Sequence, residues 1–172
     1  MKDALPRRNG GRQVRLVADA SFDERYRRAG WACWIQSGSS PVLTSGVFPD
    51  TLSDNNHAEL AALCHGLGIA IRELGLGEGD TIVARTDSLN AIQALNGSRL
   101  ISSSRLQERR LCERLHAVLR SKGLRLVLDH VGGHTGKQDS DSAMQAWCDK
   151  EARAALAKVT ALDALILDVI AA

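Results

Sequence analysis

The 172-residue sequence predicts one α/β domain whose core is a five-stranded mixed sheet flanked by helices. Its N-terminal part holds three β-rich runs separated by turn-forming residues, which predicts pairing as hairpins. Beyond residue 80 strand patterns alternate with helical ones, and strands joined by a helix pair in parallel through right-handed crossovers. Three antiparallel strands followed by two parallel strands are therefore expected.

The N-terminal half accounts for three strands and one helix. Strand-like alternation of apolar and polar residues runs through VRLVADAS (14–21), GWACWIQ (30–36) and PVLTSGVF (41–48). From 55 to 74 leucine, isoleucine and alanine recur at helical spacing, and two glycines follow shortly afterwards. This segment is predicted to be the first helix.

The C-terminal half completes the order βββαβααβα. DTIVARTD (80–87) is predicted to be the fourth strand and SLNAIQAL (88–95) a short helix. Three serines at 102–104 are expected to cap a basic amphipathic helix that Gly123 ends. LRLVLDHV (124–131) is then the fifth strand.

The last helix is expected to begin near Ser142, where an S-x-x-Q spacing resembles a capping box. Residues 1–13 are polar and contain proline, paired arginines and two glycines, so we expect a disordered lead-in before a folded domain over 14–158. Residues 159–172 are expected to form a C-terminal helical tail. Its apolar run is too short and too interrupted by aspartates to cross a membrane.

Charge and cysteine usage narrow the class of protein only slightly. The formal net charge is +2, so a nucleic-acid partner must be inferred from local patches and not from the field of the whole molecule. The four cysteines form no C-x-x-C pair, and the N-terminus has no apolar signal core. We therefore expect reduced thiols in a cytoplasmic protein; the cysteines are Cys33, Cys64, Cys112 and Cys148.

Three acidic residues are placed so that the predicted fold should bring them together. Asp19 and Asp87 end two apolar strands, and ligands of open α/β sheets lie beyond the carboxyl ends of such strands. Glu59 lies one turn into the first helix and shares a face with Leu63 and Gly66, which points it inward. Each acid taken alone is better explained as a cap or a surface residue, but their joint placement favours a cluster.

A cluster of carboxylates needs a cation. At about 5 Å and an effective dielectric near 20, each pair of charges repels by about 3 kcal/mol. Oxygen ligands with open coordination positions suit Mg²⁺ or Mn²⁺, and two such ions assist phosphodiester hydrolysis. The acidic residues thus predict a divalent-metal site.

Four motifs in this order resemble those of type 1 ribonucleases H, and the resemblance covers residues 14–158. VADAS resembles the family's D-G-S strand, NNHAEL its N-N-x-x-E-L helix start, and RTDS its T-D-S. HVGGHTG followed by CDKEARAA resembles V-x-G-H-x-G and C-D-x-L-A-R-x-A. The resemblance implies a ribonuclease H-like fold and endonucleolytic cleavage of the RNA strand of RNA/DNA hybrids, with 5′-phosphate and 3′-hydroxyl ends.

The resemblance also implies roles for individual residues. Two Mg²⁺ ions, which Mn²⁺ could replace, would be held by the four acids Asp19, Glu59, Asp87 and Asp149. A loop histidine, His134, would assist proton transfer or product release. Asn55 and Asn56 match asparagines that contact the hybrid, although either could instead cap the first helix. Ser21 matches a serine beside the first aspartate, with a turn residue as the alternative.

A basic strip lies on the third predicted helix and beside it. Residues 99–125 carry eight basic side chains against two acidic ones. Such a strip could neutralise phosphates and make binding depend on salt, although charged helix faces are usually only solvated. Arg109 and Arg110 are the substrate contacts we expect from it; the others are Arg99, Arg105, Arg114, Arg120, Lys122 and Arg125.

The sequence departs from the family pattern in three places. Ala20 replaces the glycine after the first aspartate, and residues 97–105 lack the aromatic basic handle of some bacterial members. The segment from His134 to Asp149 is long and contains Asp139 and Asp141, which could attract a further cation or begin the helix. We expect a monomer that acts on RNA/DNA hybrid; the alternative is a ribonuclease H-like binding or interaction module with weak catalysis.

Overall fold

The structure is a computed structural model that describes residues 11–131 and 140–171. Five strands and four helices follow in the order βββαβααβα. The strands are β1 (Gln13–Asp23), β2 (Arg28–Gln36), β3 (Pro41–Val47), β4 (Thr81–Thr86) and β5 (Arg125–His130). The helices are α1 (Asn55–Glu73), α2 (Leu89–Leu95), α3 (Leu106–Lys122) and α4 (Ser140–Ala171).

The strands form one mixed sheet in the spatial order β3-β2-β1-β4-β5. β1, β2 and β3 pair antiparallel, whereas β4 lies parallel to both β1 and β5. This arrangement confirms the predicted fold class. It places β1, which carries Asp19, beside β4, which Asp87 directly follows, near the centre of the sheet.

Helices cover both faces of the sheet. α1 packs against β1 and β2 over the main apolar core, which includes Leu16, Leu63 and Leu67. α4 lies on the opposite face against β1, β2 and β3, where Val17 and Ala32 of the sheet form a second cluster with Met144, Cys148 and Ala152 of the helix. α4 approaches β2 closely, because a Cβ on Gly30 would lie 2.1 Å from the carbonyl oxygen of Ala152. That contact needs a glycine.

The ends of three helices differ from the sequence predictions. The N-cap of α1 is Asp54, whose carboxylate accepts from the backbone N–H of His57, so neither Asn55 nor Asn56 is the cap. The N-cap of α3 is Arg105 without a side-chain hydrogen bond, so the three serines do not cap it. α4 begins at Ser140, which leaves Ser142 inside its first turn. Gly123 does end α3, with φ of 63°.

β1 also extends further than expected. Asp19 was predicted to end its strand, but β1 continues to Asp23 because it stays paired with β2 as a hairpin. Pairing with β4 stops at Val17, and Asp19 therefore lies just beyond the parallel part of the ladder. No break separates the domain from the tail expected at 159–172, since α4 runs through both. Within the described residues, no helix is long and apolar enough to span a membrane.

Candidate active site

Three carboxylates from three elements meet at the centre of the sheet. One oxygen from each of Asp19, Glu59 and Asp87 lies within 4.8 Å of the other two. Asp19 comes from β1, Glu59 from the second turn of α1, and Asp87 from the residue after β4. The predicted convergence of these three acids is present in the structure.

The position of Asp87 depends on the junction between β4 and α2. Thr86, the last residue of β4, is buried, and its hydroxyl accepts from the backbone N–H of Ser88. Ser88 in turn caps α2 through Ala91. A ring nitrogen of His130, at the end of β5, lies 3.1 Å from the carbonyl oxygen of Asp87. The chain therefore turns sharply after β4 and directs the carboxylate toward β1.

Glu59 is, with Asp19, one of the two buried acids of the cluster. Its side chain is 9% exposed, and Oε2 is buried without a hydrogen-bond partner among the described residues. A buried anionic oxygen without a partner costs several kcal/mol of solvation. A cation bound between the three acids would give this oxygen a partner, so the donor set fits a divalent metal ion.

The acids strongly perturb each other's ionisation. Burial, followed by the charges of Asp87 and Asp149, raises the pKa of Asp19 to about 7. Burial, followed by the charges of Asp19 and Asp87, raises the pKa of Glu59 to about 9. Without a bound cation the cluster therefore holds protons at neutral pH, whereas a divalent ion would displace them.

Asp149 lies at the edge of this cluster. It occupies α4, and its charge raises the pKa of both Asp19 and Glu59, so it faces the same site. Its side chain is 43% exposed, and Oδ1 lies 2.9 Å from Nε of Arg153. Asp149 is not among the three acids whose oxygens meet within 4.8 Å.

The loop that precedes α4 lies outside the described residues. It contains His134, the expected catalytic histidine, and Asp139. The side chain of Asp141 is likewise outside them. The predicted roles of these residues stay predictions.

The expected substrate-contacting residues near the acids lie on β1 and α1. Ser21 is two residues beyond Asp19 on β1, and side chains two apart on a strand share a face. Asn55 and Asn56 are the first two residues of α1, one turn before Glu59. The structure thus brings these three polar residues to the vicinity of the acids.

Asn56 is held by a hydrogen-bond chain that the sequence patterns did not reveal. Its Oδ1 accepts from Nδ2 of Asn90 at 2.8 Å, and Oδ1 of Asn90 accepts from Nη1 of Arg99. Asn90 is the second residue of α2, and Arg99 belongs to the loop before α3. The sequence placed Arg99 in the basic strip and gave no signal for Asn90.

Arg109 and Arg110 are not joined to the acids by any contact in the described part of the chain. Both are exposed on α3; Nη2 of Arg109 lies 4.0 Å from Oε1 of Glu113. Arg110 lines a cavity of about 790 Å³ between α1 and α3. Their contact with substrate remains a prediction that depends on where a long duplex would lie.

Comparison with known proteins places the chain in a known family. A family model described as RNase H matches residues 11–157. Among curated proteins, none matches the chain. The family match covers β1 to β5 and the first half of α4, and thus every described residue of the acidic cluster.

Solved structures share the fold at low sequence identity. An RNase H1 from the archaeon Halobacterium salinarum is 22% identical with a TM-score of 0.63, covering 85% of this chain and 98% of that one. An N-terminal RNase H domain from Mycobacterium tuberculosis is 18% identical with a TM-score of 0.67, covering 90% and 99%. LC11-RNase H1, solved with an RNA/DNA hybrid, is 16% identical with a TM-score of 0.67, covering 86% and 99%.

Proposed function

The chain belongs to the RNase H family, and from this premise we propose that it is an endonuclease that cleaves the RNA strand of RNA/DNA hybrids. The observation that carries the proposal is the meeting of three carboxylates within 4.8 Å, with a buried oxygen of Glu59 left without a partner. A protein that only bound nucleic acid would gain nothing from this repulsive cluster. The products would carry 5′-phosphate and 3′-hydroxyl ends.

Four acids are proposed to hold two Mg²⁺ ions, with Mn²⁺ able to replace them. Asp19, Glu59 and Asp87 would supply the central ligands, and Asp149 would complete the set from α4. The chemistry that such ions supply is activation of the attacking water and stabilisation of charge on the leaving oxygen. Asp19, Glu59 and Asp149 lie on β1, α1 and α4, and Asp87 directly follows β4, so the packed sheet and helices hold the separation of the acids.

The proposed selectivity for RNA rests on the polar residues beside the acids. Only RNA presents 2′-hydroxyls, and A-like duplexes display them in a wide, shallow minor groove. Asn55, Asn56 and Ser21 lie on the elements that carry Glu59 and Asp19, and we assign them to that groove. LC11-RNase H1, which shares the fold, was solved with an RNA/DNA hybrid, and this supports the substrate class.

Two further assignments come from the family pattern and from charge. His134 is proposed to move a proton or to assist product release, since a histidine titrates near neutral pH. Arg109 and Arg110 are proposed to bind phosphates of the duplex away from the cleavage point, which would favour long substrates.

Purified protein should be incubated with end-labelled RNA/DNA hybrid, duplex DNA, duplex RNA and single-stranded RNA, each with Mg²⁺, Mn²⁺ or EDTA. We expect cleavage only of the RNA strand of the hybrid, and only with a divalent ion. Asp19→Asn and Asp87→Asn should each abolish cleavage while hybrid binding remains measurable. Binding of the hybrid without cleavage under every metal condition would instead establish the weakly catalytic binding module.

A further inference from the structure

In the hydrogen-bond chain from Arg99 through Asn90 to Asn56, the donor and acceptor groups of the side chains determine which atom donates at each step. A guanidinium group only donates hydrogen bonds, whereas an asparagine amide has one accepting and one donating end. Asn90 must therefore turn its Oδ1 to Arg99, which leaves its Nδ2 to face Asn56. Asn56 must then accept with Oδ1. The usual ambiguity in the orientation of an amide is removed at both asparagines.

The consequence is that Asn56 presents its Nδ2 group outward. Its Oδ1 is used by Asn90, and Nδ2 makes no hydrogen bond to any described residue. Asn56 is partly exposed at the start of α1, one turn from Glu59. A pair of N–H donors is thus held toward solvent beside the acidic cluster.

We propose that Asn90 and Arg99 are positioning residues that fix the amide of Asn56 as a hydrogen-bond donor to the minor groove of the hybrid. This inference rests on the proposed function and concerns how that same site reads its substrate. Purine N3, pyrimidine O2 and the 2′-hydroxyl oxygen are all acceptors in this groove. An outward donor therefore finds an acceptor at every base pair, whereas an outward acceptor finds a donor among the base edges only at the N2 amino group of guanine and otherwise depends on a 2′-hydroxyl that donates.

Asn90→Asp is the decisive variant. A carboxylate still accepts from Arg99, but it can only accept from Asn56 as well, so Asn56 must turn Nδ2 inward and Oδ1 outward. The helix and the contact with Arg99 are kept while the polarity offered to the substrate is reversed. We expect KM for the hybrid to rise about fivefold to tenfold, with kcat changed less than about twofold.

Gln93→Glu is the matched control for charge. Gln93 lies one turn further along α2 with an exposed side chain. Its backbone carbonyl accepts from the backbone N–H of Arg99, but its side chain is not part of the side-chain hydrogen bonds, so the variant adds the same negative charge outside them. We expect its KM to stay within about twofold of the wild type. Asn90→Ala, which frees the amide of Asn56 without reversing it, should fall between the control and Asn90→Asp.

Replacements of Arg99 by lysine and by methionine show whether the donor at this position, and not only the side chain's bulk, sets the direction of the hydrogen bonds. Lysine also only donates, so Arg99→Lys should keep the direction of the chain. Arg99→Met removes the donor and should raise KM about as much as Asn90→Ala does. Recovery with lysine but not with methionine is the pattern expected of a positioning residue.

A measurement on the free protein tests the direction without substrate. NMR hydrogen exchange should show slow exchange for a side-chain amide proton of Asn90 and fast exchange for those of Asn56. In Asn90→Asp, a proton of Asn56 should become the slow one. The inference is overturned if the amide of Asn56 does not reverse, or if KM of Asn90→Asp matches that of Gln93→Glu. If the wild-type protein leaves the hybrid intact, the proposed function is overturned, and with it the assigned substrate of Asn56. The NMR result would still decide the direction of the amide.

Discussion

Asp54 and Arg105 connect the first turns of two helices, because Nη2 of Arg105 lies 2.8 Å from both carboxylate oxygens of Asp54. Asp54 caps α1, the helix that carries Glu59, and Arg105 is the N-cap of α3. The same guanidinium pairs with Glu108, which is only 5% exposed. One arginine therefore neutralises a buried acid and holds the start of the helix on which the proposed site depends.

Arg105→Met should destabilise the protein because it leaves the carboxylate of Glu108 buried without its cation. Removing one partner of a fully buried ion pair lowers the free energy of unfolding by about 3 to 5 kcal/mol, and we expect a loss of about 2 to 4 kcal/mol for this partly exposed arginine. Urea unfolding followed by circular dichroism measures the change. Arg109→Met is the control, since Arg109 and Glu113 are an exposed pair 4.0 Å apart and should contribute less than about 0.5 kcal/mol. Equal losses in the two variants would contradict this assignment.

The stability of the metal-free protein should fall as pH rises. Burial, with mutual repulsion added, raises the pKa of Asp19 to about 7 and that of Glu59 to about 9, above their ordinary values near 4. A carboxyl whose pKa is raised by folding contributes its full stability below its unfolded pKa and loses it as pH passes through the folded value. We therefore expect Tm in EDTA to decline from about pH 5 to pH 9. Mg²⁺ should oppose the decline, and parallel curves with and without Mg²⁺ would show that the acids bind no metal.

Asp87→Asn should make the metal-free protein more stable while it abolishes cleavage. The charge of Asp87 raises the pKa of both other acids, so its removal relieves repulsion. At pH 8 in EDTA we expect Tm to rise by about 2 to 5 °C. Asp50→Asn is the control, because Asp50 is exposed and has no ion pair among the described residues. A lower Tm for Asp87→Asn would mean that this carboxylate supports the fold.

Arg153→Met should strengthen metal binding. Nε of Arg153 lies 2.9 Å from Oδ1 of Asp149, and its charge competes with any cation at the site. At pH 8 we expect the Mg²⁺ concentration for half-maximal cleavage to fall about twofold to fivefold, a modest effect because the pair is exposed. Lys158→Met removes a positive charge from the same helix further from the acids and should change it less. An increased Mg²⁺ requirement would instead indicate that Arg153 orients Asp149.

Arg109→Ala and Arg110→Ala should each weaken the salt dependence of hybrid binding. Every lost phosphate contact reduces the slope of log K against log salt concentration by about 0.7 to 0.9. Fluorescence anisotropy with a labelled hybrid at several salt concentrations gives this slope. Arg120→Ala, about three turns further along α3, should leave it unchanged. If all three variants behave alike, the helix contributes only a general positive field.

Regular elements were predicted well because their signals are local. Alternation in TIVART and helical spacing from Leu60 to Ile71 each report which face is buried, and those faces pack in the structure as expected. The helix caps were predicted less well. Asn55 and the serines at 102–104 are good capping types, yet Asp54 and Arg105 hold the cap positions, and the two are joined by a hydrogen bond across the helices.

Sequence by itself determined the order of the elements and the identity of the three acids that meet, because each acid follows or lies on an element with a strong apolar pattern. Only the tertiary structure decided what surrounds them. Asn90 lies 34 residues from Asn56, and Arg105 lies 51 residues from Asp54. Such contacts depend on how α1, α2 and α3 pack, and no local periodicity encodes them. The unpaired oxygen of Glu59 and the raised pKa of Asp19 likewise arise from burial by distant parts of the chain.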